Sequence, residues 1–130
     1  MRHESRSGAV LYAKDIDRVA AFYSAVLGLK EKARDRDHVV LESSAFQLVV
    51  LQIPTDIAST IVIATPPTRR AMAAVKLVFF VSSMAHVRAS VEALGGLMNS
   101  PDKEWSFQEF KVCDGLDPEG NVIQFREHAG

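Results

Sequence analysis

A single cysteine, Cys113, leaves no partner for an internal disulfide, so the chain has to be held by its own core. This agrees with a reducing compartment. No histidine adjoins Cys113 in sequence to activate its thiol, and it reads as a small packed strand residue. Charge of one sign is also missing. Fifteen Lys and Arg stand against sixteen Asp and Glu, with no run of five like charges, which removes the electrostatic footprint of a nucleic-acid or acidic-membrane binder. The expected partner is a small molecule or another protein chain. Long apolar runs are absent too: the longest nearly uncharged stretch, Ile57 to Thr68, carries paired prolines, and the N-terminal MRHESRSG has no apolar signal core. No membrane association is expected, and a cytoplasmic location is. No P-loop, dinucleotide fingerprint or Ser-His-Asp pattern occurs, GLDPEGN being a turn sequence without the required glycine spacing.

What is present is a repeat. GAVLYAKDIDRVAAFYSAVLGLK, from Gly8, is echoed 68 residues later by KLVFFVSSMAHVRASVEALGGLM, from Lys76. Leu11 falls on Phe79, Ile16 on Met84, Val19 on Val87 and Gly28 on Gly96. Self-similarity at a fixed offset means that one supersecondary unit is built twice. At 130 residues, 48% of them hydrophobic, both copies are expected within one domain, as modules of about 8–54 and 76–127 joined by a linker over 55–75.

In the first copy a strand over Val10 to Ala13 meets Asp15 at a helix N-cap position, and apolar residues recur at three- and four-residue spacing from Ile16 to Leu27. Gly28 supplies the left-handed stop. After a polar cluster from Ala33 to Asp37, two strands are predicted over His38 to Glu42 and Phe46 to Ile53, turning at Ser43 and Ser44. The module thus has a strand, a helix and two or three further strands. Pro54 and Pro66-Pro67 bracket a segment whose IVIA core is a further strand candidate, followed by a TPPTRRAMAA linker. The second copy predicts a strand over Leu77 to Val81, a cap at Ser82 or Ser83, a helix from Met84 to Leu94 and a stop at Gly95-Gly96. Strands follow near Leu97 to Asn99, Glu109 to Asp114 and Asn121 to Glu127. Asp117 to Gly120 forms a tight turn, and Pro101 to Gln108 reads as a loop carrying Trp105 and Phe107. The fold class is α+β, two βαβββ modules whose sheets join in a curved, half-open arrangement with a concave pocket on the face the helices leave uncovered.

Strand alternation assigns the faces. Leu11, Ala13, Phe79 and Val81 turn to the helices, leaving Val10, Tyr12, Val78 and Phe80 open; Val122, Gln124 and Arg126 share that open side, with Ile123 and Phe125 beneath the helix. Such a pocket is apolar with a few orienting polar groups. Tyr12 reads as a ligand hydrogen-bonder or as a packed aromatic. Lys76 pairs with an anionic group or ends a strand in solvent. Arg126, beside Gln124, clamps a carboxylate or forms a surface ion pair with Glu109 or Glu127. Trp105 and Phe107 close over a ligand or pack, and Arg69-Arg70 reach a pocket rim or are solvated. His38, with no evident carboxylate partner, and His86, expected to be exposed, make poor general bases.

LYAKDIDRVAAFYSAVLGLK, KLVFFVSSMAHVRASVEALGG and DGLDPEGNVIQFRE, in this order and repeated context, resemble the vicinal oxygen chelate superfamily, which includes glyoxalase I, bleomycin-resistance proteins and extradiol dioxygenases. The resemblance runs from about Gly8 to Glu127. Its metal-dependent members hold a divalent ion on the concave face through a His, Gln or Glu near each end of each module, and those positions fall here on Gly8, Leu51, Lys76 and Gln124. Glycine and leucine offer no side-chain donor, and lysine repels a cation, so Gln124 alone is competent. A shift of register admits His3 or Glu4 near Gly8, Gln47 or Gln52 near Leu51, and Glu119, Glu127 or His128 near the last strand, with Gln52 on the face opposite Leu51.

The resemblance therefore implies a glyoxalase/bleomycin-resistance-like protein that binds a small, partly apolar molecule, without metal or other cofactor, through Tyr12, Lys76, Val78, Phe80, Trp105, Gln124 and Arg126. A divalent-metal-dependent lyase, isomerase or dioxygenase is the alternative, and an interaction scaffold with a self-filled pocket a third reading. Members commonly dimerise, and the apolar residues of Thr55 to Pro67 are the expected contact surface.

Overall fold

Residues 6–130 are described by the computed structural model; His3 and Glu4 lie outside the described residues. The first strand, β1 (Ser7–Ala13), passes into helix α1 (Ile16–Leu27) through Asp15, whose extended backbone and carboxylate, accepting from the Arg18 N–H at 3.1 Å, make the N-cap. Ile16, Val19, Ala20, Tyr23 and Val26 form the buried stripe, with Phe22 edge-on to Tyr23 at 5.1 Å between ring centroids. Gly28, at φ 68°, ends the helix. Three strands follow: β2 (Lys30–Arg34), β3 (His38–Glu42) and β4 (Phe46–Gln52). The sheet order is β1-β4-β3-β2, with β1 parallel to β4 and the other pairs antiparallel. Helix α1 packs on β3 and β4, whose Val39, Leu41, Leu48 and Val50 are buried.

The second unit, residues 63–130, repeats the plan: β5 (Leu77–Val81), α3 (Met84–Ala93), β6 (Leu97–Met98), β7 (Trp105–Phe107), β8 (Phe110–Leu116) and β9 (Val122–His128). Its order is β5-β9-β8-β6, β5 and β9 parallel, with β7 also paired to β8. In both units the last strand lies between the first and the last but one. Ser83 caps α3 by accepting from the His86 N–H at 3.1 Å, and Met84, Val87 and Val91 are its buried face. The element order of both copies agrees with the α+β reading.

Three segments differ from expectation. β2 begins at Lys30, where no strand was assigned, because every residue of KEKAR is exposed on a sheet edge and carries no alternation; its charges blunt that edge instead. The IVIA segment forms no strand. After Pro54 the chain takes a short helix, α2 (Thr55–Ala58), and the Ile61 carbonyl accepts from the Lys14 ammonium rather than from a sheet neighbour. The stretch Pro101 to Gln108 is a 3-10 turn over Pro101–Lys103 and then β7, not a loop. β6 and β7 flank β8 on the same side, so the equivalent of β2 is here one strand broken in two. Among the described residues no helix is long and apolar enough to cross a membrane.

The linker is fastened within the second unit. Arg70 donates its N–H to the Gly120 carbonyl at 3.1 Å and brings its guanidinium 3.9 Å from Glu119. Arg70 thus serves the 117–120 turn, not a pocket rim. That turn is organised by Asp117, fully buried, whose carboxylate accepts from the N–H groups of Glu119 (2.9 Å) and Asn121 (3.0 Å) and from the Asn121 amide (2.8 Å).

Candidate ligand-binding face of the second unit

Register and alternation place the functional side chains. On β9, Val122, Gln124, Arg126 and His128 take one face, while Ile123 and Phe125 are buried on the other and Glu127 accepts from the Met84 N–H at the start of α3. Strand pairing then lays out cross-strand rows on the face away from α3. Val78, Gln124 and Asp114 form one row, and Phe80, Arg126, Val112 and Trp105 the next. His128, Phe110 and Phe107 complete a third. Of the seven expected ligand-binding residues, Val78, Phe80, Trp105, Gln124 and Arg126 belong to this one sheet, and Lys76 immediately precedes β5. Tyr12 belongs to the first unit, 58% exposed beside Leu51 on that unit's own open face.

A continuous polar line crosses the rows. Lys76 Nζ pairs with Asp114 Oδ2 at 2.8 Å, Asp114 Oδ1 accepts from the Gln124 amide at 3.1 Å, and Gln124 Oε1 accepts from Arg126 Nε at 2.8 Å. The Arg126 guanidinium carbon lies 4.9 Å from the Phe107 ring centroid and 5.7 Å from that of Phe80. Phe110 meets Phe80 edge-on at 5.0 Å and His128 at 5.5 Å. The result is a cation held between exposed rings, Phe80 and Phe107, with exposed Trp105 further along the same cross-strand row.

Several expectations are corrected here. Gln124 is only 6% exposed, and Val122 equally little; Gln124 spends its amide on Asp114 and Arg126, so it is an internal link and not an open pocket group. Lys76 gives its charge to Asp114. Arg126 pairs with neither carboxylate proposed for it, since Glu109 faces His128 at 3.5 Å and Glu127 serves α3. His38 does have a carboxylate partner, Asp35, at 2.9 Å; hydrogen bonds from the Asp37 and His38 N–H groups hold that carboxyl below its usual range, the Asp37 bond contributing most. The turn over 35–38 hid the pairing from a search for helical or strand spacing. His86 is exposed. Asp114 and Phe110 escaped the sequence reading, although their parity with Val112 on β8, opposite Gln124, was the signal that places them.

The residues at the family's metal positions do not fit a divalent ion. Gly8 and Leu51 bring no donor, Lys76 brings an ammonium, and the Gln124 oxygen already receives a guanidinium, whose charge repels a cation. Gln47, in register with Gly8, gives its amide to Glu42 at 2.9 Å, and this bond, ahead of the nearby Arg6, holds the Glu42 carboxyl below its usual range. Gln52 is tied to the carbonyls of Lys14 (2.9 Å) and Ile53 (3.0 Å). Among the described residues no group of three or more His, Cys, Asp or Glu side chains is arranged to hold an ion.

A sequence profile of the glyoxalase-like domain matches residues 8–125. Curated protein sequences give no significant match. Among solved structures, a glyoxalase/bleomycin resistance protein/dioxygenase family enzyme from Burkholderia phytofirmans PsJN superposes with a TM-score of 0.71 at 17% identity, covering 96% of this chain and 99% of that one. A lactoylglutathione lyase from Agrobacterium tumefaciens gives 0.60 at 21%, covering 98% and 96%. A fosfomycin resistance protein from Listeria monocytogenes, in complex with manganese(II) and a dihydroxypropylphosphonic acid, gives 0.63 at 14%, covering 100% and 91%. At these identities the likeness is one of fold, and the fold is that of the glyoxalase/bleomycin-resistance proteins.

Proposed function

Because the chain belongs to the glyoxalase-like domain family, we propose that it is a small-molecule binder of the glyoxalase/bleomycin-resistance type that takes a partly apolar molecule on the open face of its second unit without a metal ion. The observation that carries this reading is the line Lys76–Asp114–Gln124–Arg126. At a position the family's enzymes give to a metal ligand, Gln124 instead accepts from a guanidinium, and the neighbouring carboxylate is neutralised by Lys76. The guanidinium seated on the Gln124 oxygen opposes a metal cation at the same atom. The exposed rings of Phe80, Phe107 and Trp105 supply apolar area that a ligand covers, and the polar line supplies orientation. The manganese bound by the Listeria protein belongs to that protein's ligand set.

Two measurements test this reading. Elemental analysis of protein purified without chelator should find metal far below one equivalent, and added manganese, zinc or nickel should leave the melting temperature unchanged. A stoichiometric ion whose removal lowers stability overturns the metal-free reading in favour of a metal-dependent lyase, isomerase or dioxygenase. Trp105, the only tryptophan and two strands from Arg126 in the row that passes through Val112, reports ligand binding by its fluorescence. Small aromatic and aliphatic compounds should change it saturably, with Phe80→Ala weakening the response. A set of such compounds that leaves it flat in the wild type removes the binding reading.

A further inference from the structure

We infer that the ligand taken by this face is a flat carboxylate, an aromatic or conjugated acid, and that Arg126 is the residue that selects it. The inference rests on the small-molecule reading above and names the chemical class.

Charge comes first. On this face Lys76 and Asp114 cancel, Gln124 is neutral, and Arg126 forms no ion pair among the described residues. Along this line Arg126 is therefore the cation left without an ion-pair partner among the described residues, the nearest acidic neighbour of His128, Glu109, being engaged with that ring at 3.5 Å. The orientation of Arg126 is fixed, because Nε is spent on the Gln124 oxygen at 2.8 Å, while the two terminal nitrogens have no hydrogen-bond partner among the described residues. That leaves the end of the guanidinium fork, two parallel N–H groups whose spacing matches the oxygens of one carboxylate. The side chain is half-buried, so the fork stays accessible to a ligand.

Shape follows from the rings. Phe107 and Phe80 lie 4.9 and 5.7 Å from the guanidinium, Phe110 braces Phe80, and Trp105 stands in the same cross-strand row as Arg126. These side chains have few rotatable bonds, so a planar ligand anchored at Arg126 meets rigid aromatic area at small entropic cost. A flexible aliphatic acid finds the same fork but less to stack on, and a neutral ring finds the stacking surface without the fork.

The test uses a matched pair, 2-naphthoate and 2-naphthylmethanol, titrated calorimetrically into the intact protein near pH 7. A charge-assisted hydrogen-bonded contact corresponds to about a 10- to 100-fold preference for the acid in the wild type. Arg126→Gln should abolish that preference, the acid losing far more affinity than the alcohol. Arg126→Lys, which keeps the charge but lacks the fork, should recover only part of it. Equal affinity for acid and alcohol in the wild type overturns the inference while sparing the small-molecule reading, provided that Phe80→Ala weakens both. An undiminished preference in Arg126→Gln, with native circular dichroism, also overturns it, by placing the anion elsewhere. Absence of binding by either probe up to solubility refutes the inference for this face.

Discussion

Gly120 and Gly28 share a backbone sign and differ in surroundings, which makes replacing each by alanine a controlled experiment. Both have positive φ, +84° and +68°. An alanine at either pays the left-handed conformational strain, about 1–2 kcal/mol. At Gly28 nothing lies within 4 Å of the added methyl group, so strain is the whole cost. At Gly120 the methyl would fall 2.1 Å from the Thr68 carbonyl oxygen and 3.2 Å from its carbon, both backbone atoms of the linker. One segment has to move. Moving it breaks the Arg70 N–H bond to the Gly120 carbonyl, worth about 1 kcal/mol, and draws Arg70 from Glu119. Gly120→Ala should therefore cost about 2–4 kcal/mol, at least ~1 kcal/mol more than Gly28→Ala. With a urea m value of about 1–3 kcal/mol per M, its midpoint should fall by roughly 1 M or more. Urea titrations followed by far-ultraviolet circular dichroism for both variants, and by Trp105 fluorescence for Gly120→Ala, measure this. Equal costs at the two glycines refute the claim that the linker is seated on the 117–120 turn.

Two further outcomes follow from buried polar groups. Asp117→Ala leaves three donors without their acceptor and should destabilise by on the order of 3 kcal/mol, whereas Asp117→Asn keeps one oxygen and costs less; an unchanged urea midpoint in the alanine variant contradicts the turn's role. Cys113 is buried with Sγ 3.5 Å from the Asn99 carbonyl, and burial pushes its thiol above the ordinary value of 9.0, so a thiol reagent should label native protein only as fast as it opens. Since the folded thiol keeps its proton longer than the unfolded one, this contribution to stability is whole below pH 9.0 and is lost as pH rises from there through the folded pKa. Cys113→Ala should flatten that part of the loss, and prompt stoichiometric labelling without denaturant would refute the burial.

The elements that were legible in the sequence are those with a periodic buried face. Ile16, Val19, Tyr23 and Val26 announce α1, and Val39, Leu41, Leu48 and Val50 announce two strands, because burial imposes spacing. KEKAR and Trp105–Phe107 were misread for the converse reason: edge strands with every residue exposed have no face to encode. The open face was legible as a set of positions, since Val10, Tyr12, Val78 and Phe80 alternate with helix-facing neighbours. Its wiring was not. That Lys76 pairs with Asp114, 38 residues away, and that Gln124 bridges Asp114 to Arg126 depend on strand order and register, which a single sequence leaves open. Asp35 and His38 were missed as a pair because the turn geometry that joins them has no periodic signature.

The placing of each final strand has a consequence for synthesis on the ribosome. In the first unit β4 lies between β1 and β3, and in the second β9 lies between β5 and β8, so neither sheet has its middle until its last segment is made. Ser7 precedes its partner Phe46 by 39 residues, a wait of roughly 2–8 s at ordinary elongation rates. During that interval β1 and the nascent hairpin of β2 and β3 each offer an unpaired rim to neighbouring chains. The charged residues of β2, invisible to periodicity, stand on the rim that remains open after β4 arrives; the rim of β3 that faces β4 is protected only by the brevity of the delay. Slowing translation between Arg34 and Phe46 should therefore raise aggregation more than the same pause placed after Gln52.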